Sequence, residues 1–225
     1  MPAVAWRPRE ARPGGARPSD PRPVVLLGHG GSGDKLTVAP LAERLVADIG
    51  AVVVAIDGPV HGDRRTDGAD GDVVLADFRA LWRRGEPRIG EMAADWRATL
   101  DEVGRWPDVD ADRIGWCGVS MGTAYGVSFV AAEPRVRAAV LGMWGLTYPS
   151  SERLALDAPS ITCPVLFQRK ADDELFPVVG QEALFALLGT DDKELRTYPG
   201  RHATPVPAQV DDQVAFLARQ LLGLR

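Results

Sequence analysis

A serine set between two glycines is the first feature of this sequence that could do covalent chemistry. It occurs in Gly118–Gly122, after the predicted strand Arg113–Cys117 and before the apolar segment Thr123–Ala132. The pattern G-x-S-x-G between a strand and a helix is typical of a nucleophile elbow, a sharp turn that lifts a serine hydroxyl above a sheet. The turn needs small flanking residues, which explains the glycines. The pattern predicts that Ser120 is a nucleophile, with an ordinary glycine-rich turn as the alternative.

A serine hydroxyl becomes a nucleophile only when a base takes its proton and an acid orients that base. His202 is the one histidine that follows Ser120 in the chain, and it comes just after the last predicted strand. The order serine, acid, histidine is the one that accompanies this turn. Three carboxylates follow the strand before it, namely Asp172, Asp173 and, less well placed, Glu174. The residues alone leave the choice among them open.

A second glycine-rich segment, Gly28–Gly33, follows the first buried strand. It does not match a phosphate-binding P-loop, because Asp34 rather than Lys and Ser/Thr comes after its last glycine. It does match the G-x-G-x-x-G of dinucleotide-binding proteins, and Asp57 ends the next strand. A helix starting within these glycines would hold Pro40 in its interior, where proline costs ~3 kcal/mol. This cost weighs against a dinucleotide-binding oxidoreductase, which stays open as an alternative.

The segments that must position these residues alternate between strand and helix patterns from Val24 onward. The predicted strands are Val24–Leu27, Ala51–Ile56, Arg113–Cys117, Arg137–Trp144, Pro164–Gln168 and 194–198. The predicted helices are Leu36–Ile49, 72–84, 89–103, Met121–Ala132, 178–188 and 208–222. Apolar strands that alternate with helices indicate a mostly parallel sheet with helices on both faces, an α/β fold. Ligands of such sheets bind at the carboxyl ends of the strands, where the candidate residues lie.

The first 23 residues differ from this pattern, because they hold six prolines and five arginines without periodicity. We predict an extended arm over 1–23, with a short strand as an option at Ala3–Trp6, and a single domain over 24–225.

Composition narrows the range of partners. The chain has 225 residues, 45% apolar, and a net charge of −5, which disfavours binding to nucleic acid. It has no long apolar run for a membrane span and no apolar core of a signal peptide, so a cytoplasmic protein is expected. Cys117 and Cys163 lie in apolar runs and are predicted to be buried free thiols.

Taken together, these motifs resemble the α/β-hydrolase superfamily over about 24–225, in particular its small dienelactone-hydrolase-like and esterase-like members. Gly28-His29-Gly30-Gly31 is similar to the family's oxyanion loop, and Gly118–Gly122 is similar to its elbow. Asp173–Pro177 resembles the acid turn, in which an Asp precedes a Pro by four positions, and Gly200-Arg201-His202 resembles the Gly-x-His near the end of the chain. The resemblance favours Asp173 over its neighbours and implies an α/β-hydrolase fold with a minimal cap or none.

The resemblance also implies a reaction. Ser120 would attack a carboxylic ester or thioester, with His202 moving the proton and Asp173 orienting the ring. The backbone amides of Met121 and Gly31 would bind the oxyanion. A small-molecule substrate is expected, with no cofactor and no metal, and the protein would be a monomer or a homodimer. An acyl-peptide or lactone hydrolase and a non-catalytic binding protein are alternatives, and the serine, where dienelactone hydrolases proper have cysteine, makes dienelactone itself a doubtful substrate.

Four further residues are predicted near the substrate. His61 and Arg64 follow the second buried strand, and Trp82 and Trp144 lie in segments expected beside the opening of the site. A solvated basic turn is the alternative for the first two, and core packing is the alternative for the tryptophans. His29 is expected to support its own loop by hydrogen bonding.

Overall fold

A seven-stranded sheet forms the centre of the computed structural model, which describes residues 2–8, 21–69 and 71–223. Its strands are β1 Ala3–Trp6, β2 Arg22–Leu27, β3 Val52–Ile56, β4 Val109–Cys117, β5 Val136–Gly142, β6 Val165–Lys170 and β7 Lys193–Tyr198. The spatial order is β1-β3-β2-β4-β5-β6-β7, and only β1 runs antiparallel to its neighbour. The apolar runs of β2 and β3 are buried on both faces, as parallel strands require.

Helices cover both faces of this sheet. They are α1 Ala39–Ile49, α2 Gly71–Arg83, α3 Ile89–Val103, α4 Met121–Ala132, α5 Glu152–Asp157, α6 Val178–Leu187 and α7 Pro207–Leu222. On one face, α1 and α7 pack with alternate residues of the central strands, such as Val25 and Leu27. On the other face, α2 to α6 enclose a larger core that contains Trp82, Trp96 and Trp116. No helix in the described ranges is long and apolar enough to cross a membrane.

The predicted α/β fold is confirmed. The connections between the strands leave the carboxyl edge of the sheet, where the candidate residues lie, without a separate covering domain. Between β5 and β6 the chain forms only α5 and one turn of 3-10 helix, Ala158–Ser160. The longer excursion lies between β3 and β4 and carries α2 and α3, which pack into the core. No separate cap is built from the described residues.

Several boundaries differ from the sequence prediction. Helix α1 begins at Ala39 instead of Leu36, because the Asp34 carboxylate accepts the N–H groups of Leu36 at 2.8 Å and Thr37 at 3.0 Å and holds them in a turn. Strand β5 ends two residues before Trp144, because Met143 has a φ of 53°. Helix α5 was not predicted.

The structure also bears on the predicted N-terminal strand and on the two cysteines. Ala3–Trp6 forms an edge strand beside β3, whereas residues 9–20 of the predicted arm lie outside the described residues. Cys117 and Cys163 are free thiols, and burial raises the pKa of Cys117 to about 12, which keeps it protonated and unreactive.

Candidate active site

Ser120 occupies a strained turn between β4 and α4. Its φ of 58° and ψ of −122° are unusual for a residue with a side chain, a conformation that typically costs about 1–3 kcal/mol. Its N–H donates to the Gly142 carbonyl at 2.9 Å, which ties the turn to the neighbouring strand. A Cβ atom on Gly118 would lie 3.0 Å from the Cα atom of Gly122, and one on Gly122 would lie 3.1 Å from the Gly28 carbonyl oxygen. The backbone crowding explains both glycines of the motif.

The Ser120 hydroxyl and a carboxylate lie on opposite sides of the His202 ring. Ser120 Oγ is 3.0 Å from His202 Nε2, and His202 Nδ1 is 3.0 Å from Asp173 Oδ2 and 3.1 Å from Oδ1. A carboxylate only accepts hydrogen bonds, so Nδ1 carries the proton and Nε2 presents its lone pair to the hydroxyl. This is the tautomer that a base needs in order to take the serine proton.

Asp173 is the acid that reaches the ring. Its side chain is fully buried, and its Oδ1 accepts the N–H groups of Leu175 and Phe176, each at 3.0 Å. The amide of Gln181 approaches Oδ2 at 3.4 Å. Asp172, by contrast, is exposed to solvent. The turn that follows Asp173 therefore fixes the orientation of its carboxylate toward the histidine.

Glu174, the third acidic candidate, binds the backbone of the histidine loop and leaves the ring free. Its Oε2 accepts the His202 N–H at 2.9 Å, and this hydrogen bond lowers the pKa of the Glu174 carboxyl. Arg201 lies 3.5 Å from its other oxygen. Glu174 thus helps to hold the loop in place.

The glycine loop after β2 contains Gly31, whose N–H is one of the two expected oxyanion donors. The Gly58 N–H donates to His29 Nε2 at 2.9 Å, so the proton of this ring is on Nδ1, which donates to the Gly30 carbonyl at 2.8 Å. Burial, together with the adjacent His61 ring, lowers the pKa of His29 to about 4 and keeps it neutral. Because the C=O and N–H of a trans peptide point in opposite directions, the Gly31 N–H is directed away from His29.

The second expected donor is the N–H of Met121, the first residue of α4. A helix leaves its first N–H groups without partners inside the helix, and they carry the positive end of the helix dipole. This amide directly follows the serine in the chain. The position is therefore suited to stabilising negative charge that develops beside Ser120.

A cavity of about 430 Å³ opens onto the serine and histidine. Its walls are formed by the first turns of α1 and α7 and by the ends of β2, β4, β5 and β6. Apolar side chains dominate these walls: Leu27, Val38, Leu41, Met143, Val206 and Val210. Gly28 and Gly30 of the glycine loop also line it, and Lys170 is the cationic side chain on its wall.

The four residues predicted to contact substrate have other positions. His61 is buried, with each ring nitrogen facing a backbone carbonyl oxygen. Arg64 donates to Asp95 at 2.7 Å, and Trp82 and Trp144 are buried with ring centroids 4.6 Å apart. None of the four lines the cavity at Ser120. Three of them pack in the interior, and Arg64 is held in an ion pair.

The geometry of the glycine loop does not fit a dinucleotide site. Pro40 lies in the first turn of α1, so Gly28–Gly33 remains outside the helix that would face a pyrophosphate. Asp57 is engaged by Lys35, whose Nζ lies 2.6 Å from its carboxylate, and does not face an open ribose site. Within the described ranges, no cluster of three or more His, Cys, Asp or Glu side chains could hold a metal ion.

Two residues of the site were missed in the sequence. Gln181, which buttresses Asp173, comes from a helix whose position relative to the acid turn depends on the tertiary fold. Lys170 is the last residue of β6, after Gln168 and Arg169, and this polar strand end gives no sign in the sequence that the lysine is buried.

The family comparison agrees with the geometry. The model of the dienelactone hydrolase family matches residues 15–206. A cold-adapted esterase from an Arctic intertidal metagenomic library is 34% identical, with a TM-score of 0.78 over 97% of this chain and 88% of the esterase.

Two more distant structures share the fold. A putative dienelactone hydrolase from Klebsiella pneumoniae is 21% identical, with a TM-score of 0.71 over 97% of this chain and 93% of that one. An acetyl xylan esterase from Paenibacillus sp. R4 is 18% identical, with a TM-score of 0.70 over 97% of this chain and 79% of that one.

Proposed function

This chain belongs to the dienelactone hydrolase family and is a carboxylic ester hydrolase, and we propose that it acts through a Ser120–His202–Asp173 triad and an acyl-enzyme. The observation that carries the proposal is the hydrogen-bonded row from hydroxyl to imidazole to buried carboxylate at the carboxyl edge of the sheet. Thioesters of the same acyl groups are substrates for the same chemistry.

In the first half of the reaction, Ser120 Oγ attacks the ester carbonyl carbon while His202 Nε2 takes the hydroxyl proton. The carbonyl oxygen becomes an oxyanion, which accepts hydrogen bonds from the amides of Met121 and Gly31. The tetrahedral intermediate then expels the alcohol, and the imidazolium returns its proton to the leaving oxygen. Asp173 stabilises the imidazolium throughout.

In the second half, water replaces the alcohol. His202 takes a proton from the water as its oxygen attacks the acyl-enzyme, and the collapse of the second intermediate returns the proton to Ser120 and releases the acid. Each amide that stabilises the oxyanion is worth about 10²- to 10³-fold in turnover.

Labelling with a fluorophosphonate tests the nucleophile. The probe should modify the native protein at Ser120, and Ser120→Ala should lose both labelling and ester turnover while circular dichroism stays unchanged. Ser160→Ala is the matched control, because Ser160 is an exposed serine in the 3-10 turn before β6. Labelling that persists in Ser120→Ala, or is lost in Ser160→Ala, would refute the assignment.

A further inference from the structure

A row of buried hydrogen bonds beside the cavity at Ser120 fixes the direction in which its side-chain amides point. The Tyr198 hydroxyl donates to the Asp212 carboxylate at 2.6 Å, so its oxygen is left to accept from Gln168 Nε2 at 3.0 Å. The same nitrogen donates to the backbone carbonyl of Gln209 at 3.0 Å. Both partners of this nitrogen accept, so Gln168 Oε1 is the atom that accepts from Gln213 Nε2, at 2.8 Å.

The last member of this row is left with an acceptor that has no partner, the Gln213 Oε1 atom. In the described part of the chain, no group donates a hydrogen bond to it. Gln213 is only 4% exposed, yet this oxygen is not one of the atoms that are cut off from solvent. Gln213 lines the cavity together with Ser120 and His202. A molecule bound in the cavity can therefore reach this oxygen.

A second amide lines the cavity one helical turn earlier. Gln209 precedes Gln213 by four residues on α7, and residues at this spacing lie on the same face of a helix. Gln209 Nε2 donates to the Met143 sulfur, a weak acceptor, at 3.1 Å. An amide nitrogen has two hydrogens, so Gln209 can donate one more hydrogen bond. The two glutamines thus offer an acceptor and a donor in a wall that is otherwise largely apolar.

This combination suits a hydroxyl group, which donates one hydrogen bond and accepts others. A buried polar group costs free energy unless it is hydrogen-bonded, and a purely apolar ligand would leave the Gln213 oxygen without any donor. We propose that Gln213, with Gln209, binds a hydroxyl group of the substrate. The preferred substrate is then an ester that carries a free hydroxyl, separated from the ester group by an apolar segment. This substrate class rests on the proposed function of Ser120.

The hydroxyl could belong to the acyl part or to the alcohol part of the ester, and two substrate pairs distinguish these cases. The first pair is the methyl ester of an ω-hydroxy acid and that of the ω-fluoro acid. The second pair is the monoacetate of an α,ω-diol and the acetate of the ω-fluoro alcohol. Fluorine is close to a hydroxyl in size but has no proton to donate. Acid release measured by pH-stat, over a graded series of chain lengths, gives kcat/KM for each ester.

In the native protein we expect the hydroxyl to raise kcat/KM about 5- to 100-fold over the fluorine in one of the pairs, because the fluorinated ester leaves a buried acceptor unpaired. Gln213→Met, which has a side chain of similar length, should bring this ratio close to one, mainly by lowering kcat/KM of the hydroxyl ester. Gln220→Met is the matched control, because it makes the same change two turns later on α7, outside the cavity. It should keep the native ratio.

Equal losses on both members of a pair in Gln213→Met would overturn the proposal, because they would mean that Gln213 only supports Gln168 and the end of β6. The native ratio needs no variant: a value near one in both pairs and at all chain lengths would mean that water alone satisfies the oxygen, and would overturn the proposal too. Fluorophosphonate labelling of Ser120 separates this failure from a failure of the triad. A protein that is labelled but shows no preference has the nucleophile without the hydroxyl site.

Discussion

Replacing Asp173 with asparagine should disable the histidine while leaving the fold almost unchanged. The Asp173 Oδ1 atom accepts two backbone N–H groups, each at 3.0 Å. An asparagine at this position has one oxygen, and those two donors would keep it. Its NH₂ group then faces His202 Nδ1, which must become an acceptor, so the ring proton moves to Nε2. With a proton on Nε2, the ring cannot take the proton of Ser120.

The expected loss follows from this wrong tautomer. The equivalent substitution in a serine protease triad lowers kcat by about 10⁴. At 1.36 kcal/mol for each factor of ten, this corresponds to about 5.4 kcal/mol of transition-state stabilisation. The assay is kcat/KM on an ester of a short acid, with unfolding by urea as a check on stability. We expect the free energy of unfolding of Asp173→Asn to lie within about 1–2 kcal/mol of the native value, since the packing and most hydrogen bonds persist.

Asp172→Asn provides the control, because it makes the same chemical change one residue earlier on an exposed side chain. It should keep turnover within a few-fold of the native value. If Asp173→Asn retained activity within tenfold, or if Asp172→Asn lost more, the assignment of the acid and the tautomer argument would both be wrong.

Two more predictions concern the loops that support the site. Burial lowers the pKa of His29 from 6.5 to about 4, so the unfolded chain binds a proton that the native protein does not. The contribution of His29 to the free energy of unfolding should therefore be highest above about pH 6.5 and fall by up to about 3 kcal/mol toward pH 4. His29→Asn should show a smaller change of unfolding free energy over this pH range, measured by urea unfolding. An equal pH dependence in both proteins would contradict the assignment of the effect to His29. Gly122→Ala would place a Cβ atom 3.1 Å from the Gly28 carbonyl oxygen. We expect a loss of about 1–3 kcal/mol in stability and reduced kcat, whereas Gly90→Ala, where a Cβ atom meets nothing within 4 Å, should show neither effect in the same assays.

The order of strands and helices could be predicted from the sequence because buried segments have a recognisable local pattern of apolar residues. The apolar runs of β2 and β3 and the helical spacing of α1 and α3 are visible in one dimension. The first and last residues of the helices and strands were harder to predict. The turn held by Asp34 delays α1, and the left-handed conformation of Met143 ends β5, and both depend on contacts or torsions that apolar periodicity does not record.

The cavity beside Ser120 could not be predicted in the same way. Its walls combine the first turns of α1 and α7 with the ends of several strands, which are far apart in the chain. Their position after the second buried strand suggested His61 and Arg64 instead, but a loop at the end of a strand can turn its side chains inward. His61 is turned inward, where each of its ring nitrogens faces a backbone carbonyl oxygen.

The three histidines illustrate what decides a catalytic assignment. His29 accepts an N–H and donates to a carbonyl, so its ring is fully used by the backbone and its tautomer is fixed. His61 faces two carbonyls, both of which only accept. Only His202 has a hydroxyl on one side and a carboxylate on the other, the one pairing through which a proton can pass to and from the ring. Chain order selected His202 from the sequence, and the chemistry of its partners supplies the physical reason for that choice.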